Sequence, residues 1–342
     1  MNKLILFSNA DRDQLISYRE GETKFGEHIQ VLTNTQPIYE QLQKLDVDHV
    51  IFGIPEDIGV IANQGISGAY DTWSGFIKFL LNIQSNRFTN PGKVAILGHL
   101  DFTEELALIA SNSANSNHIE KTRTITSEID SHVSQIVYDI VSAGKKPIII
   151  GGGHNNAYGN IKGSARALDK KVNAINLDAH TDLRAQEGRH SGNGFTYALS
   201  EGFLDKYFVF GIHENYTSQS ILNKMDSMSH QIDYNTFESI FVRRELDYEV
   251  ELKRALNFVR NDNFGIELDC DAIQSIPSSA MTPSGVSVIQ ARHFLHTMAS
   301  HKNAIYLHLC EAAPKLAPAE YSGQVWKLLV YLVTDFIRAT TK

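Results

Sequence analysis

The chain has 342 residues, a formal net charge of −8 and a sequence pI near 5.9. That length buries a sizeable core without covalent staples, and two cysteines, Cys270 and Cys310, exclude a disulfide-built scaffold. The acidic balance excludes general affinity for nucleic acid, and no apolar run approaches the roughly 20 residues of a membrane helix.

The first residues turn polar without the apolar stretch and cleavage site of a signal peptide, so a cytoplasmic chain with no membrane partner is expected. Residues 1–45 read as an N-terminal extension packing on a core, and residues 46–342 as one continuous domain with no repeat or linker. A pattern then recurs: a short apolar run ends at glycine or polar residues and gives way to helical periodicity. Val50–Phe52 leads to Gly53-Ile54-Pro55-Glu56-Asp57, Lys93–Leu97 to Gly98-His99, Lys146–Ile150 to Gly151-Gly152-Gly153-His154, and Val172–Leu177 to Asp178-Ala179-His180. Tyr207–Phe210 leads to His213, Phe264–Leu268 to Asp269-Cys270-Asp271, and Ala304–Cys310 to Glu311. Such runs read as strands buried on both faces. Ile129–Ala143, Val286–Met298 and Gln324–Ile337 carry apolar residues at helical spacing. The alternation predicts an α/β fold, three layers with a mostly parallel sheet between helices. Asn215–Glu251 is irregular and more polar, and reads as peripheral helix and loop.

The unusual residues all fall at carboxyl ends of predicted strands, where open α/β sheets place ligands. Asp178, His180 and Asp182 sit at alternate positions, so extended backbone projects them to one side, and Asp269 and Asp271 repeat the spacing. With His154 they make four carboxylates and two imidazoles. A lone Asp-x-His-x-Asp is equally turn and capping chemistry; the second cluster and the strand-end His154 favour a metal site. Oxygen-rich donors without paired cysteines suit Mn²⁺ better than a soft ion. Gly151 to Gly153 lack the Lys-Ser/Thr ending of a phosphate-binding loop. His99 and His308 lie in or after apolar runs and read as core or supporting histidines, and Cys270 and Cys310 as small buried apolar residues.

At these residues the sequence resembles the arginase, agmatinase and formimidoylglutamase family, from about residue 50 onward. Asp178-Ala179-His180-Thr181-Asp182, Leu268-Asp269-Cys270-Asp271, Gly151-Gly152-Gly153-His154 and the stretch Gly53 to Gly59, continuing through Asn63-Gln64-Gly65 to Gly68-Ala69, carry the likeness. The resemblance implies an eight-stranded sheet and a homo-oligomer, trimeric or hexameric. It also implies two Mn²⁺ ions per subunit, one on His154, Asp178, Asp182 and Asp269, the other on His180, Asp178, Asp269 and Asp271. A hydroxide bridging the ions would attack a small amidine or guanidine, with Asp178, Asp269, His180 and Glu311 as catalytic residues and Glu311 also holding the cationic group.

Within the family, Gly153 in place of the aspartate of arginases, Ala157-Tyr158-Gly159, and Ser191-Gly192-Asn193-Gly194-Phe195 resemble formimidoylglutamases. Phe195 aligns with the histidine proton shuttle of arginases. Arg184, Arg189, His190 and Asn193, with His213 and Asn215 at the next strand end, are the expected contacts to the carboxylates of N-formimidoyl-L-glutamate. Asn155-Asn156, Asn193-Gly194, Ala272 to Pro277 and Ala312-Ala313 depart from that pattern. Hydrolysis of a guanidino compound with release of urea therefore stays open, as does a non-catalytic binding protein retaining the fold.

Overall fold

The computed structural model describes residues 3–33, 36–111 and 116–341. Ten strands arise there: β1 Leu4–Leu6, β2 Gln30–Val31, β3 His49–Gly53, β4 Val94–Leu100, β5 Lys146–Ile150, β6 Val172–Leu177, β7 Leu204–Ile212, β8 Ile232–Thr236, β9 Phe264–Asp269 and β10 Ala304–Cys310. They join in the order β1-β4-β3-β5-β10-β9-β6-β7-β8, with β2 also paired to β4. Every pairing is parallel except β1 with β4. From His49 onward the chain contributes eight strands; β1 and β2 add two more at one edge. At the other edge β8 rises from the segment read as irregular. Its Asp233 and Tyr234 are half-buried, so this edge strand carries no apolar run to betray it.

Strand alternation builds the three layers. Ile51, Ile148, Ile175, Phe208, Ile266 and Leu307 face helices bearing Phe294, Leu329 and Phe336. Their neighbours turn the other way. Val50, Ala95 and Ile149 pack on Ile129, Val133 and Val137 of the helix His118–Ser142, while Ala174, Tyr207 and Val209 pack on Ala157 and Ile161 of the helix Asn156–Leu168. Each such Phe, Leu or Ile stabilises the fold by about 1.5–3 kcal/mol on burial. No helix among the described residues is long and apolar enough to cross a membrane.

The middle of the sheet positions the site. Ile150 lies opposite Leu309, Cys310 opposite Asp269, and Leu268 opposite Leu177, so β5, β10, β9 and β6 end side by side. Whatever follows them shares one crevice.

Two positions tie the outer elements to this sheet. His49 opens β3 fully buried, its Nε2 2.7 Å from Thr340 Oγ1 in the last helix, and burial pushes its pKa down to about 4. The folded chain keeps the ring neutral, whereas the unfolded chain protonates it below about 6.5. Its contribution, roughly 3 kcal/mol, is complete above pH 6.5, declines as the pH falls and is gone near pH 4. Gly98 has φ +129°, and a Cβ there would stand 1.9 Å from the carbonyl oxygen of Ile5 in β1. We expect the unfolding free energy in urea to fall by about 3 kcal/mol less between pH 7 and pH 4 in His49→Gln than in the wild type; equal falls would contradict the assignment. Gly98→Ala is expected to cost roughly 2–4 kcal/mol and to speed amide exchange in Leu4–Leu6, and unchanged exchange there would count against it.

Candidate metal centre

After β5 the chain turns through Gly151 (φ +85°) and Gly152 (φ +77°), and a Cβ on Gly152 would lie 2.3 Å from Asn156 Nδ2. Glycine is required because this turn wraps a buried carboxylate. Glu56 Oε1 accepts from Gly153 N at 3.2 Å, Asn155 Nδ2 at 3.2 Å and Asn156 Nδ2 at 2.6 Å, while Oε2 accepts from Ile58 N at 2.7 Å. Burial raises the Glu56 pKa to about 7. The two asparagines that depart from the family pattern are thus the donors that fix the loop delivering His154.

His154 Nδ1 points at three carboxylate oxygens: Asp182 Oδ2 at 2.8 Å, Asp178 Oδ2 at 3.2 Å and Asp269 Oδ2 at 3.2 Å. His180 Nδ1 points at two, Asp271 Oδ2 at 3.1 Å and Asp178 Oδ1 at 3.5 Å. Asp178 therefore turns one oxygen toward each imidazole. Short local hydrogen bonds hold the acids: Asp178 Oδ1 accepts from His180 N at 2.7 Å, Asp178 Oδ2 from Asn176 Nδ2 at 2.9 Å, and Asp269 Oδ1 from Asp271 N at 2.8 Å.

The donors fit divalent cations. His154, Asp178 and Asp269 form one group with ligand atoms within 4.8 Å of one another, and Asp178, His180 and Asp271 form another. Both ring nitrogens of His154 and Asp271 Oδ1 are buried without a hydrogen-bond partner among the described residues, the state of atoms that converge on a point rather than on each other. The acids carry the same surplus of negative charge. Burial together with Asp271 and Asp178 pushes Asp269 well above the carboxylate range, and burial with Asp178 raises Asp182. Asp178 is held low by His154 and His180 despite burial, and Asp271 raises His180.

Glu311 follows β10 with φ +58°, and Asp182 has φ +51°. Both are left-handed non-glycine residues, a strain typical of sites that the surrounding structure holds in place. Glu311 Oε1 accepts from His154 N at 2.9 Å, and burial raises its pKa to about 8. It lines a cavity of about 410 Å³ together with His154, His180, Asp182, Asp269 and Asp271.

Of the expected substrate contacts, Arg184 and Glu311 reach this cavity. Arg184 is half-exposed and held by Asn63 Oδ1 at 2.6 Å and Glu187 Oε1 at 2.8 Å. The structure places the others elsewhere. Arg189 is buried, bonds Asp130 through Nε at 2.7 Å and Asn155 O through an η nitrogen at 2.8 Å, and lies between the rings of Tyr158 and Tyr197. Asn193 is consumed by Arg189, Gly188 and Ala185. His190 is buried and neutral, its pKa lowered by burial to about 4, and it accepts from Gly192 N. Arg189 holds the loop to the helix His118–Ser142, and His190 and Asn193 brace the loop from within instead of facing a ligand. His213 stacks on Tyr216, which covers it from the cavity, and Asn215 lies exposed outside the lining. Phe195 stands edge-on to His154 at 5.3 Å and stacks on Tyr207 at 4.0 Å, so it offers packing and no proton.

The sequence reading also missed residues. Asn63, Ser191, Gly192, Tyr216 and Ser279 line the cavity, and Glu56 fixes the His154 loop. Asn63 and Glu56 lie inside the quoted signature stretches, which is the signal they carried; Tyr216 and Ser279 sit in segments of irregular sequence and gave none.

Comparison with known proteins bears on the family and the fold. The sequence model described as "Arginase family" matches residues 47–335. A formimidoylglutamase of Hahella chejuensis is 31% identical over 188 residues, 52% of this chain and 51% of that protein, so the chain spans about half the length of the relative it matches. Trypanosoma cruzi formiminoglutamase with Mn²⁺ has a TM-score of 0.70 at 22% identity, covering 90% of this chain and 99% of that one. Formimidoylglutamase from Bacillus subtilis has a TM-score of 0.72 at 18% identity, covering 95% of each. These structures share the fold, and the sequence match extends through every strand from β3 to β10: the chain belongs to the arginase family.

Proposed function

We propose that this protein hydrolyses N-formimidoyl-L-glutamate to L-glutamate and formamide, using two Mn²⁺ ions held by His154, Asp178, Asp182 and Asp269 and by His180, Asp178, Asp269 and Asp271. The observation that carries this reading is Asp178, buried between the two imidazoles with one oxygen toward each. When bound, the ions supply Lewis acidity, lowering the pKa of a water toward neutral and offsetting negative charge as it develops. The rest falls to the chain. Glu311 accepts hydrogen bonds from the cationic formimino group, whose charge would offset the burial that raises the Glu311 pKa to about 8. Its position against the backbone of His154 sets the reacting carbon beside the donor cluster. Arg184 at the cavity wall, steadied by Asn63, supplies the positive charge for a substrate carboxylate. Cleavage breaks the bond between the formimino carbon and the glutamate nitrogen, water giving its oxygen to formamide and both its protons to the departing amine, which leaves as an ammonium.

One observation favours a second reading, hydrolysis of a guanidino compound to urea. Arg189, His190 and Asn193 are spent on the loop, so a dicarboxylate meets one arginine in place of the expected cluster. A non-catalytic role gains no support, since all six donor positions are present and assembled. The two buried, unpaired thiols, Cys270 and Cys310, suit the reducing cytoplasm.

A product-resolved assay of Mn²⁺-loaded protein on formimidoyl-L-glutamate, arginine and agmatine separates these readings. Formamide and glutamate are expected, with the rate falling on the order of 100-fold or more in Asp178→Asn; urea without formamide would establish the second reading. Arg184→Ala is expected to raise KM about 10-fold with little change in kcat. Arg189→Met should instead cost about 3–5 kcal/mol of stability, because it leaves Asp130 buried and unpaired. A stable Arg189→Met protein with raised KM would return Arg189 to the substrate site.

A further inference from the structure

Directly beneath His154 lies a second polar cluster, which the chemistry above does not use. Glu267 on β9 and Tyr306 and His308 on β10 are fully buried, and His308 sits opposite Glu267 in the strand register. His308 Nδ1 is 2.5 Å from Glu267 Oε2, Tyr306 donates to Glu267 Oε1 at 2.7 Å, and His308 Nε2 lies 3.3 Å from the carbonyl oxygen of Gly151. A carboxylate here is costly, and well-packed apolar residues would serve the core better. Its neighbour across the cluster is His154. That ring's Nε2 is 3.6 Å from Glu267 Oε2 and has no hydrogen-bond partner among the described residues, while Phe195 fixes the ring plane edge-on.

We propose that Glu267 is the positioning residue of His154: it takes the Nε2–H hydrogen bond and so turns the bare Nδ1 toward Asp178, Asp182 and Asp269. A tilt of under about 1 Å brings Nε2 to the roughly 2.8 Å of a charge-assisted hydrogen bond. Tyr306 and His308 hold Glu267 at that place, and His308 ties it to the glycine turn that carries His154. A carboxylate behind a ligating imidazole fixes its tautomer and raises its basicity. The inference rests on the metal reading proposed above.

The full chain, stripped of metal, is titrated with Mn²⁺ by calorimetry and followed by electron paramagnetic resonance. Glu267→Gln is expected to bind one of the two ions 10–100-fold more weakly, with the spin-coupled pair giving way to single ions at low Mn²⁺, while the ion on His180 keeps its affinity. Tyr306→Phe removes one donor to Glu267 without changing its charge, and is expected to weaken the same ion a few-fold; it decides the matter should Glu267→Gln fail to fold. Wild-type affinity at both sites in the folded variant, or equal weakening at both, overturns the proposal. So does loss of the ion in Cys310→Ser with Glu267→Gln indifferent, because His154, His308 and Cys310 bring donor atoms within 4.8 Å and would then be the true ligands. A wild-type chain that binds no Mn²⁺ at all overturns the metal reading instead.

Discussion

Asp178, Asp182, Asp269 and Asp271 cluster around two imidazoles, and Glu311 stands beside them. Two like charges about 4 Å apart repel by about 4 kcal/mol at the effective dielectric of a protein near its surface. Burial and the neighbouring carboxylates raise Asp269, Asp182 and Glu311 above the usual carboxylate range, the mark of that repulsion in the metal-free chain. Divalent cations offset it without protonation. The remaining features of the fold read as means of keeping these acids close despite their repulsion.

The first means is the parallel sheet, whose four central strands end together and deliver one to three of these groups each. The second is a set of turns held in costly backbone. Asp182 and Glu311 adopt left-handed conformations, and the glycine turn before His154 is wrapped on Glu56. The third is the buried Arg189–Asp130 pair, which fastens the loop after Asp182 to a long helix. Breaking such a pair is expensive, so the loop is rigid where it passes the cavity.

Much of the site was legible because ligand chemistry is local. Alternate spacing at Asp178, His180 and Asp182, and again at Asp269 and Asp271, follows from strand geometry alone, and the glycine run before His154 announces a close backbone approach. The partners of the loop after Asp182 are not legible in the sequence, for a physical reason. Arg189, His190 and Asn193 are residue types equally suited to a substrate anion and to a buried partner, and Asp130, the partner of Arg189, lies in a helix 59 positions earlier. Nothing in the local pattern marks that pairing. Likewise Glu267 and His308 each sit in an apolar run just outside the quoted motifs, and only the β9–β10 register brings them into contact.

The sequence by itself determined the alternation of buried strands and helices, the placement of acids and histidines at strand ends, and through them the family. These rest on periodicity and on donor spacing, properties of a few consecutive residues. Tertiary structure alone decided the two added edge strands, the order that sets β5, β10, β9 and β6 together, the choice of Arg184 over Arg189 at the cavity, and the carboxylate behind His154. Each of those depends on contacts between residues far apart in the chain, and charge and polarity carry no record of which distant partner will neutralise them.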